Sequence, residues 1–380
     1  MRIAAFNVEN LFDRARVFNG PEKDAHKDVL DAHAELNKLF EHEVYSDADK
    51  ARMLELIDQL GMLKRDEGRY TRIRKIRGLL ISRPRAPKVP YIKAKGRSDW
   101  VGWCELRTEA VDEVAIANTA RMIRDLKADI LAVVEAESRP VLLSFQDLMV
   151  DRLGLDEAYR HVMLIDGNDG RGIDVGLATR NGYPIGNMRS HVDDLKPDGH
   201  RIFSRDCPEF EVTTPGGETI VVLPNHFKSK YGGNDPVSKA KRLAQASAVA
   251  SYYNRLIADG FENVVVLGDL NDTPDSPELA PLLADTDLKD VCEHPNFTEF
   301  EFNVDNGNKG IGTHGLGNDD DKIDYLLLSP ALFDKVTLGG LERRGVWPGS
   351  RPPRWEIYPE LEKKHHAASD HHAIWAEIDI

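Results

Sequence analysis

Four apolar residues, Val264-Val265-Val266-Leu267, run straight into Gly268-Asp269-Leu270-Asn271-Asp272. An unbroken Val/Leu run fits a strand buried on both faces, and a glycine behind it lets the backbone turn where a side chain would obstruct a ligand. Asp269 and Asn271 stand two apart, so an extended chain sets both on one face, able to converge on one ion or one phosphate. Taken alone, the stretch reads equally well as a strand running into an ordinary polar turn.

The same pattern recurs along the chain. Arg2 to Phe6 ends in Asn7-Val8-Glu9, and a helical pattern from Thr108 to Lys127 leads into Ile130 to Val134, whose end carries Glu135. Strands are expected at His161 to Ile165 and Ile173 to Thr179, flanking a Gly-rich turn that holds Arg171. Others are expected near Phe203 to Thr213 and Thr219 to Leu223, joined by Pro215-Gly216-Gly217, the second running into Asn225-His226-Phe227-Lys228. A helix opens at Asp235-Pro236 and runs to about Ala258, a strand is expected over Thr298 to Asn303, and Asp324 lies inside the apolar run Ile323 to Leu328. Asp370-His371 precede a last strand. Polar residues that repeatedly end apolar strands are costly to bury unless they converge on a partner, a metal or water. Carboxylates and amides suit a hard cation such as Mg²⁺ or Mn²⁺. His365, His366, His371 and His372 are the alternative, a transition-metal cluster.

Charge is unevenly placed in the 380 residues. The net charge is −14, yet Lys64 to Arg97 holds thirteen Lys or Arg against Asp66 and Glu67, a local balance of +11. A cationic segment on an acidic body is how a site that holds divalent cations still attracts a phosphate backbone, so nucleic acid is the expected partner. Pro84, Pro87 and Pro90 exclude a continuous helix there and favour an extended arm or loop. Before it, Leu36, Leu39 and Phe40, then Leu54, Ile57 and Leu60, fall at helical spacing. A content of 41% hydrophobic residues suffices for a large core. No apolar run approaches the roughly 18 residues of a membrane span, and the N-terminus does not read as a secretory signal, so the expected location is cytoplasmic. Cys104, Cys207 and Cys292 are odd in number and far apart, which argues against a disulfide framework.

Five motifs in order, Phe6-Asn7-Val8-Glu9, Val134-Glu135, Gly268-Asp269-Leu270-Asn271, Ile323-Asp324-Tyr325 and Ser369-Asp370-His371, resemble those of the endonuclease/exonuclease/phosphatase superfamily, which includes pancreatic-type deoxyribonucleases and exonuclease III. The resemblance implies a four-layer α/β (α+β) sandwich, deoxyribonuclease I-like, of two face-to-face mixed β-sheets flanked by helices, and a single domain over 1–380. It departs from the family at Val134, where Gln is common, at Ala373, where Pro is common, and over Asn19 to Cys104, an insertion of charged helices followed by the basic segment. It implies Glu135 as principal metal ligand with Asn7 and Asp370, and Glu9 as a further contact. Asp269 and Asn271 would position and deprotonate the attacking water, and in some members they hold a second divalent cation. His371, oriented by Asp324, would contact the phosphate. His226 or Asn225 would supply a further polar contact, with Arg171 and Lys228 as phosphate ligands. The implied function is Mg²⁺- or Mn²⁺-dependent phosphodiester hydrolysis, as a nuclease of the endonuclease type acting on DNA or other nucleic acid. The alternatives are a phosphatase or phosphodiesterase for a lipid headgroup or small phosphoester, and a catalytically silent binding scaffold.

Overall fold

The computed structural model describes residues 1–11, 26–107, 113–153, 158–169, 173–230, 235–299, 310–349 and 354–380. Backbone contacts divide the chain into two compact units, Met1–Phe12 with Val111–Ile380, and Asp13–Ala110.

The larger unit holds two mixed sheets. In the first, β1 (Arg2–Leu11) is central, parallel to β6 (Ile130–Ala136) on one side and antiparallel to β17 (Ala373–Ile378) on the other. The sheet continues through β8 (Asp174–Thr179) to β7 (His161–Ile165), and through β16 (Val336–Glu342) to β14 (Phe297–Glu299). In the second, β12 (Val264–Asp269) lies parallel to β11 (Thr219–His226) and antiparallel to β15 (Asp324–Leu328). β10 (Glu209–Thr213) and β9 (Ile185–Arg189) extend one side, and β13 (Lys289–Asp290) the other.

The two-residue period of a strand sorts its side chains between layers. Ile3 and Ala5 of β1 and Ile130 and Ala132 of β6 pack with Phe210, Val222, Val265, Leu267 and Leu326 of the other sheet, in the core between the sheets. Their neighbours Ala4, Phe6, Leu131 and Val133 face outward, against Met122, Ile123 and Leu126 of α3 (Glu113–Leu126) and Leu142 and Phe145 of α4 (Arg139–Leu153). On the far side, Val264, Val266, Tyr325 and Leu327 pack with Ala246, Val249, Tyr253 and Leu256 of α5 (Pro236–Ala258). Helix, sheet, sheet, helix is the four-layer sandwich that the motifs imply, and it explains why Val264 to Leu267 shows no polar alternation. Asp235 caps α5, its carboxylate accepting from the amides of Val237 and Ser238 at 2.9 and 3.0 Å.

Residues Asp13–Ala110 carry a separate core. Helices α1 (Lys27–Phe40) and α2 (Asp47–Gln59) fall where the Leu, Ile and Phe spacing places them. Their Leu36, Phe40, Met53, Leu56 and Ile57 pack on Trp100, Cys104, Ile81 and Ile92. Ser46 and Asp49 form a capping box at the start of α2. The basic segment lacks helix, as its prolines require, but it is not an extended arm. β2 (Thr71–Arg77) pairs antiparallel with β5 (Val101–Leu106), and β3 (Ile81–Ser82) with β4 (Tyr91–Ile92). Ile73, Leu80, Ile81, Ile92 and Ala94, interspersed among the cations, anchor it to the core.

Other expectations shift. The strand expected from Phe203 begins only at Glu209; before it, Phe203 and Cys207 dive beneath α5, and the Asp206 carboxylate bonds the amides of His191 and Cys207. The strand expected over Thr298 to Asn303 is described over Phe297–Glu299, and its remainder lies outside the described residues. Among the described residues, no helix is long and apolar enough to cross a membrane.

Candidate active site

The strand ends expected to converge meet at one edge of the sandwich. Asn7, 1% exposed, directs its Nδ2 to Asp269 Oδ2 at 3.2 Å, Glu135 Oε1 at 3.4 Å and His371 Nε2 at 3.4 Å. His226 Nε2 lies 3.7 Å from both Glu135 Oε1 and Asp269 Oδ2. His371 Nε2 lies 4.0 Å from Asp269 Oδ2 and 3.7 Å from Asp370 Oδ1, while its Nδ1 meets Asp324 Oδ2 at 2.8 Å. The two sheets thus contribute jointly: Asn7, Glu135 and the residues before β17 from one, His226, Asp269 and Asp324 from the other.

Backbone strain gathers at the same place. Among the described residues, four non-glycines have positive φ, and three are Glu9 (37°), Glu135 (68°) and Asn271 (55°). Such conformations cost about 1–3 kcal/mol each and persist where the surroundings over-determine them. Register shifts between Asn7 and Leu11 in the β1–β6 ladder and between Val134 and Ala136 in the β6–β8 ladder bracket Glu9 and Glu135. Simple alternation is therefore not what aims these acids; bulges do. Asn271 likewise does not follow Asp269 in extended chain. The chain turns, and the Asn271 amide donates to Asp269 Oδ1 at 2.8 Å. Gly268 has φ of 120°, and a β-carbon there would stand 2.2 Å from the Asn225 carbonyl oxygen, so only glycine fits the approach of β12 to β11.

Asn225 and His226 are successive on β11 and take opposite sides. His226 enters the site, whereas the Asn225 amide donates to the Leu223 carbonyl at 2.9 Å. Lys228 leaves the strand with its backbone N–H bonded to Gln245 Oε1 at 2.9 Å. Arg171 lies outside the described residues. The four-histidine cluster does not form: His366 Nδ1 pairs with the Glu360 carbonyl, and His372 Nε2 with that of Gly315.

Three participants carry no signal in apolar periodicity. His314, in a Gly-rich loop, sets Nε2 3.4 Å from Asp370 Oδ2 and meets the His371 ring edge-on, centroids 4.9 Å apart. Thr313 Oγ1 accepts from the Ile323 and Asp324 amides at 3.0 and 2.8 Å. Ser369 Oγ donates to the Asn7 carbonyl at 2.7 Å and accepts from the His371 amide at 2.9 Å. The wholly buried Asp174, opposite Ala136 in the β6–β8 ladder, is also acidic and pushed up to about 7, by burial and by Asp166 and Asp169.

Electrostatics favour positive charge at this edge of the sandwich. Burial and the neighbouring Asp324 and Glu135 push the Asp269 carboxyl up to about 7, against the opposing pull of His371. Glu9 is open to solvent on its outer side, but the surrounding protein desolvates its carboxylate and Asp370 repels it, so it too is raised to about 7. Burial opposes charge on His371, yet Asp324, Asp269 and Asp370 outweigh it and hold the ring well above its usual range. Asp370 is lowered despite burial because His314 and His371 face it. Glu9, Glu135, Asp269 and Asp370 are carboxylate donors whose mutual repulsion a divalent cation relieves, and oxygen donors suit Mg²⁺ or Mn²⁺. Asn7 as oriented donates its amide toward the acids while its oxygen accepts from the Glu9 N–H at 3.1 Å. A flip of the amide would turn the oxygen to a cation instead.

The sequence profile of the Endonuclease/Exonuclease/phosphatase family matches residues 94–342, and the chain belongs to that family. The match spans Glu135, His226, Asp269, Asn271 and Asp324; Asn7, Asp370 and His371 lie outside it. No curated protein matches in sequence. Similar solved structures include an endonuclease/exonuclease/phosphatase family protein from Bacteroides thetaiotaomicron, with 15% identity, TM-score 0.49, 70% of this chain and 90% of that one covered. A mannosyl-6-phosphatase from the same organism gives 16%, 0.49, 70% and 91%, and truncated Caenorhabditis elegans TDP2 gives 19%, 0.45, 70% and 90%.

Proposed function

We propose that this chain is a divalent-cation-dependent phosphodiester hydrolase acting on nucleic acid. The observation that carries the reading is the shared carboxylate of Asp269, approached by Asn7, His226 and His371 at 3.2, 3.7 and 4.0 Å, with His371 anchored on Asp324 at 2.8 Å. Glu135, Asp370 and Glu9, with Asn7, would hold Mg²⁺ or Mn²⁺. When bound, such a cation neutralises charge on the phosphate oxygens. Asp269 and Asn271 position a water and Asp269 takes its proton. His371 presents Nε2 to the phosphate, its other nitrogen fixed by Asp324, and His226 stands within the same cluster as a proton donor to the leaving oxygen. Support for nucleic acid comes from the exposed cations of Lys64 to Arg97, which suit a polyanionic backbone.

The test is a panel of plasmid, single-stranded DNA, RNA, phosphoinositide and a chromogenic phosphodiester, each with Mg²⁺, Mn²⁺, Ca²⁺ or EDTA. Asp269→Ala should keep the fold and lose at least roughly a hundredfold in turnover. Wild-type rates from that variant would refute the site. Turnover confined to phosphoinositide or the small diester would replace the nucleic-acid substrate, and turnover of nothing would favour a binding scaffold.

A further inference from the structure

His314 stands outside the roles assigned above, yet its ring nitrogen faces the same carboxylate as that of His371. Asp370 offers one oxygen to each: Oδ2 lies 3.4 Å from His314 Nε2, and Oδ1 lies 3.7 Å from His371 Nε2. One ligand atom from each of the three residues falls within 4.8 Å of the others. Ligands at Zn–N and Zn–O lengths of about 2.0–2.1 Å around a tetrahedral ion stand about 3.4 Å apart, so closing the set takes a rotation that turns one Asp370 oxygen towards both rings.

The surroundings are those of a metal-binding histidine pair. Asp324 holds His371 by Nδ1, the carboxylate–histidine arrangement that orients a ligating ring and leaves Nε2 for the ion. His314 is fixed by its backbone: residues 314 and 371 form an isolated antiparallel bridge, the Gly315 N–H donates to the Asp370 carbonyl at 2.7 Å, and the His372 N–H to the Thr313 carbonyl at 2.7 Å. The His314 and Asp370 side chains are each about two-fifths exposed, at 40% and 43%, which gives an ion a way in. Two imidazoles and one carboxylate select differently from the oxygen donors around Glu135: they favour zinc and its transition-metal neighbours over Mg²⁺.

We propose that His314, Asp370 and His371 form a transition-metal site, with Zn²⁺ the fitting ion, and that an ion held there removes His371 from catalysis and competes for Asp370. The site stands on its own geometry; its inhibitory effect rests on the hydrolase reading.

Two measurements separate these parts. Without substrate, titration with Co²⁺ should give visible d–d absorption at one ion per chain, displaced by Zn²⁺. His314→Ala should weaken binding at least about tenfold, the lower end of what outer partners alone contribute. His314→Cys should restore binding and add a sulfur-to-cobalt charge-transfer band, which a purely structural role for residue 314 cannot produce. The double variant His365→Ala/His366→Ala should bind as wild type. Unchanged affinity in His314→Ala, or no band in a folded His314→Cys, would overturn the site. With Mg²⁺ saturating, Zn²⁺ should suppress wild-type turnover, and His314→Ala should need at least about ten times more. Zinc-insensitive turnover in a protein that binds Co²⁺ would overturn the inhibition, whereas binding without any turnover would count against the hydrolase reading alone.

Discussion

At the scale of single residues, buried polar groups here are held by partners from distant segments, and that makes their protonation a matter of stability. His191, 6% exposed, places Nε2 2.6 Å from Glu209 Oε1 and Nδ1 2.8 Å from Asp194 Oδ2, and stacks on Tyr252 at 3.6 Å. Burial disfavours the charged ring, but Glu209 and Asp194 outweigh it and raise it above its ordinary 6.5. A histidine raised in the fold stabilises fully below its unfolded pKa, and the contribution fades as pH rises through the folded one. Glu209 is lowered by His191 and Arg255, and Asp194 by the Tyr252 hydroxyl and His191, so their share fades instead as pH falls towards the carboxylate range. Urea denaturation from pH 5 to 9 should therefore show wild type losing stability above about pH 6.5 relative to His191→Gln. The variant should cost about 1–3 kcal/mol near pH 6, as expected when buried charged groups lose a partner. A wild-type-to-variant difference that does not change with pH would mean that the ring titrates alike in the folded and unfolded chain, and that Glu209 and Asp194 do not raise it.

At the scale of elements, the strands that carry the chemistry were legible because burial on both faces writes itself as unbroken Val, Ile and Leu. β6, β12 and β15 are of that kind, and each ends in or contains a site acid. β9, Ile185–Arg189, is exposed along most of its length, and β16 carries Gly339-Gly340, so neither presents an apolar pattern to read. Thr313 and His314 were illegible for another reason: their contacts join segments brought together only by tertiary structure. In the insertion, helix spacing revealed α1 and α2, while the strands between scattered cations are recognisable only through the core they share. Trp100, 1% exposed, lies at its centre, edge-on to Phe40 at 4.7 Å. Trp100→Ala should cost that unit about 3–5 kcal/mol. Hydrogen exchange should then show lost protection over α1, α2 and β5, with β1, β6 and β12 retained because their own cores are untouched. Equal loss in both sets would make the two cores a single cooperative unit.

At the scale of the whole molecule, charge is segregated: the chain totals −14, but Lys64 to Arg97 carries +11, leaving −25 for the rest. An acidic chain attracts a polyanion only through such a segment, and not all of its cations are equally available. Arg72 and Arg74 meet Glu105, and Arg83 meets Asp66 at 2.7 Å. Replacing those would also break ion pairs, so the informative set is Lys75, Arg77, Arg85 and Lys88, all exposed. Each phosphate contact to duplex DNA contributes about 0.9 to the slope of log affinity against log salt. Lys75→Gln, Arg77→Gln, Arg85→Gln and Lys88→Gln together should therefore lower that slope by up to about three to four units, in a catalytically blocked Asp269→Ala background that prevents cleavage. Single-stranded DNA should show a smaller decrease, since each contact there contributes about 0.7. A slope unchanged in the quadruple variant would detach the basic segment from nucleic acid and leave its cations to another partner.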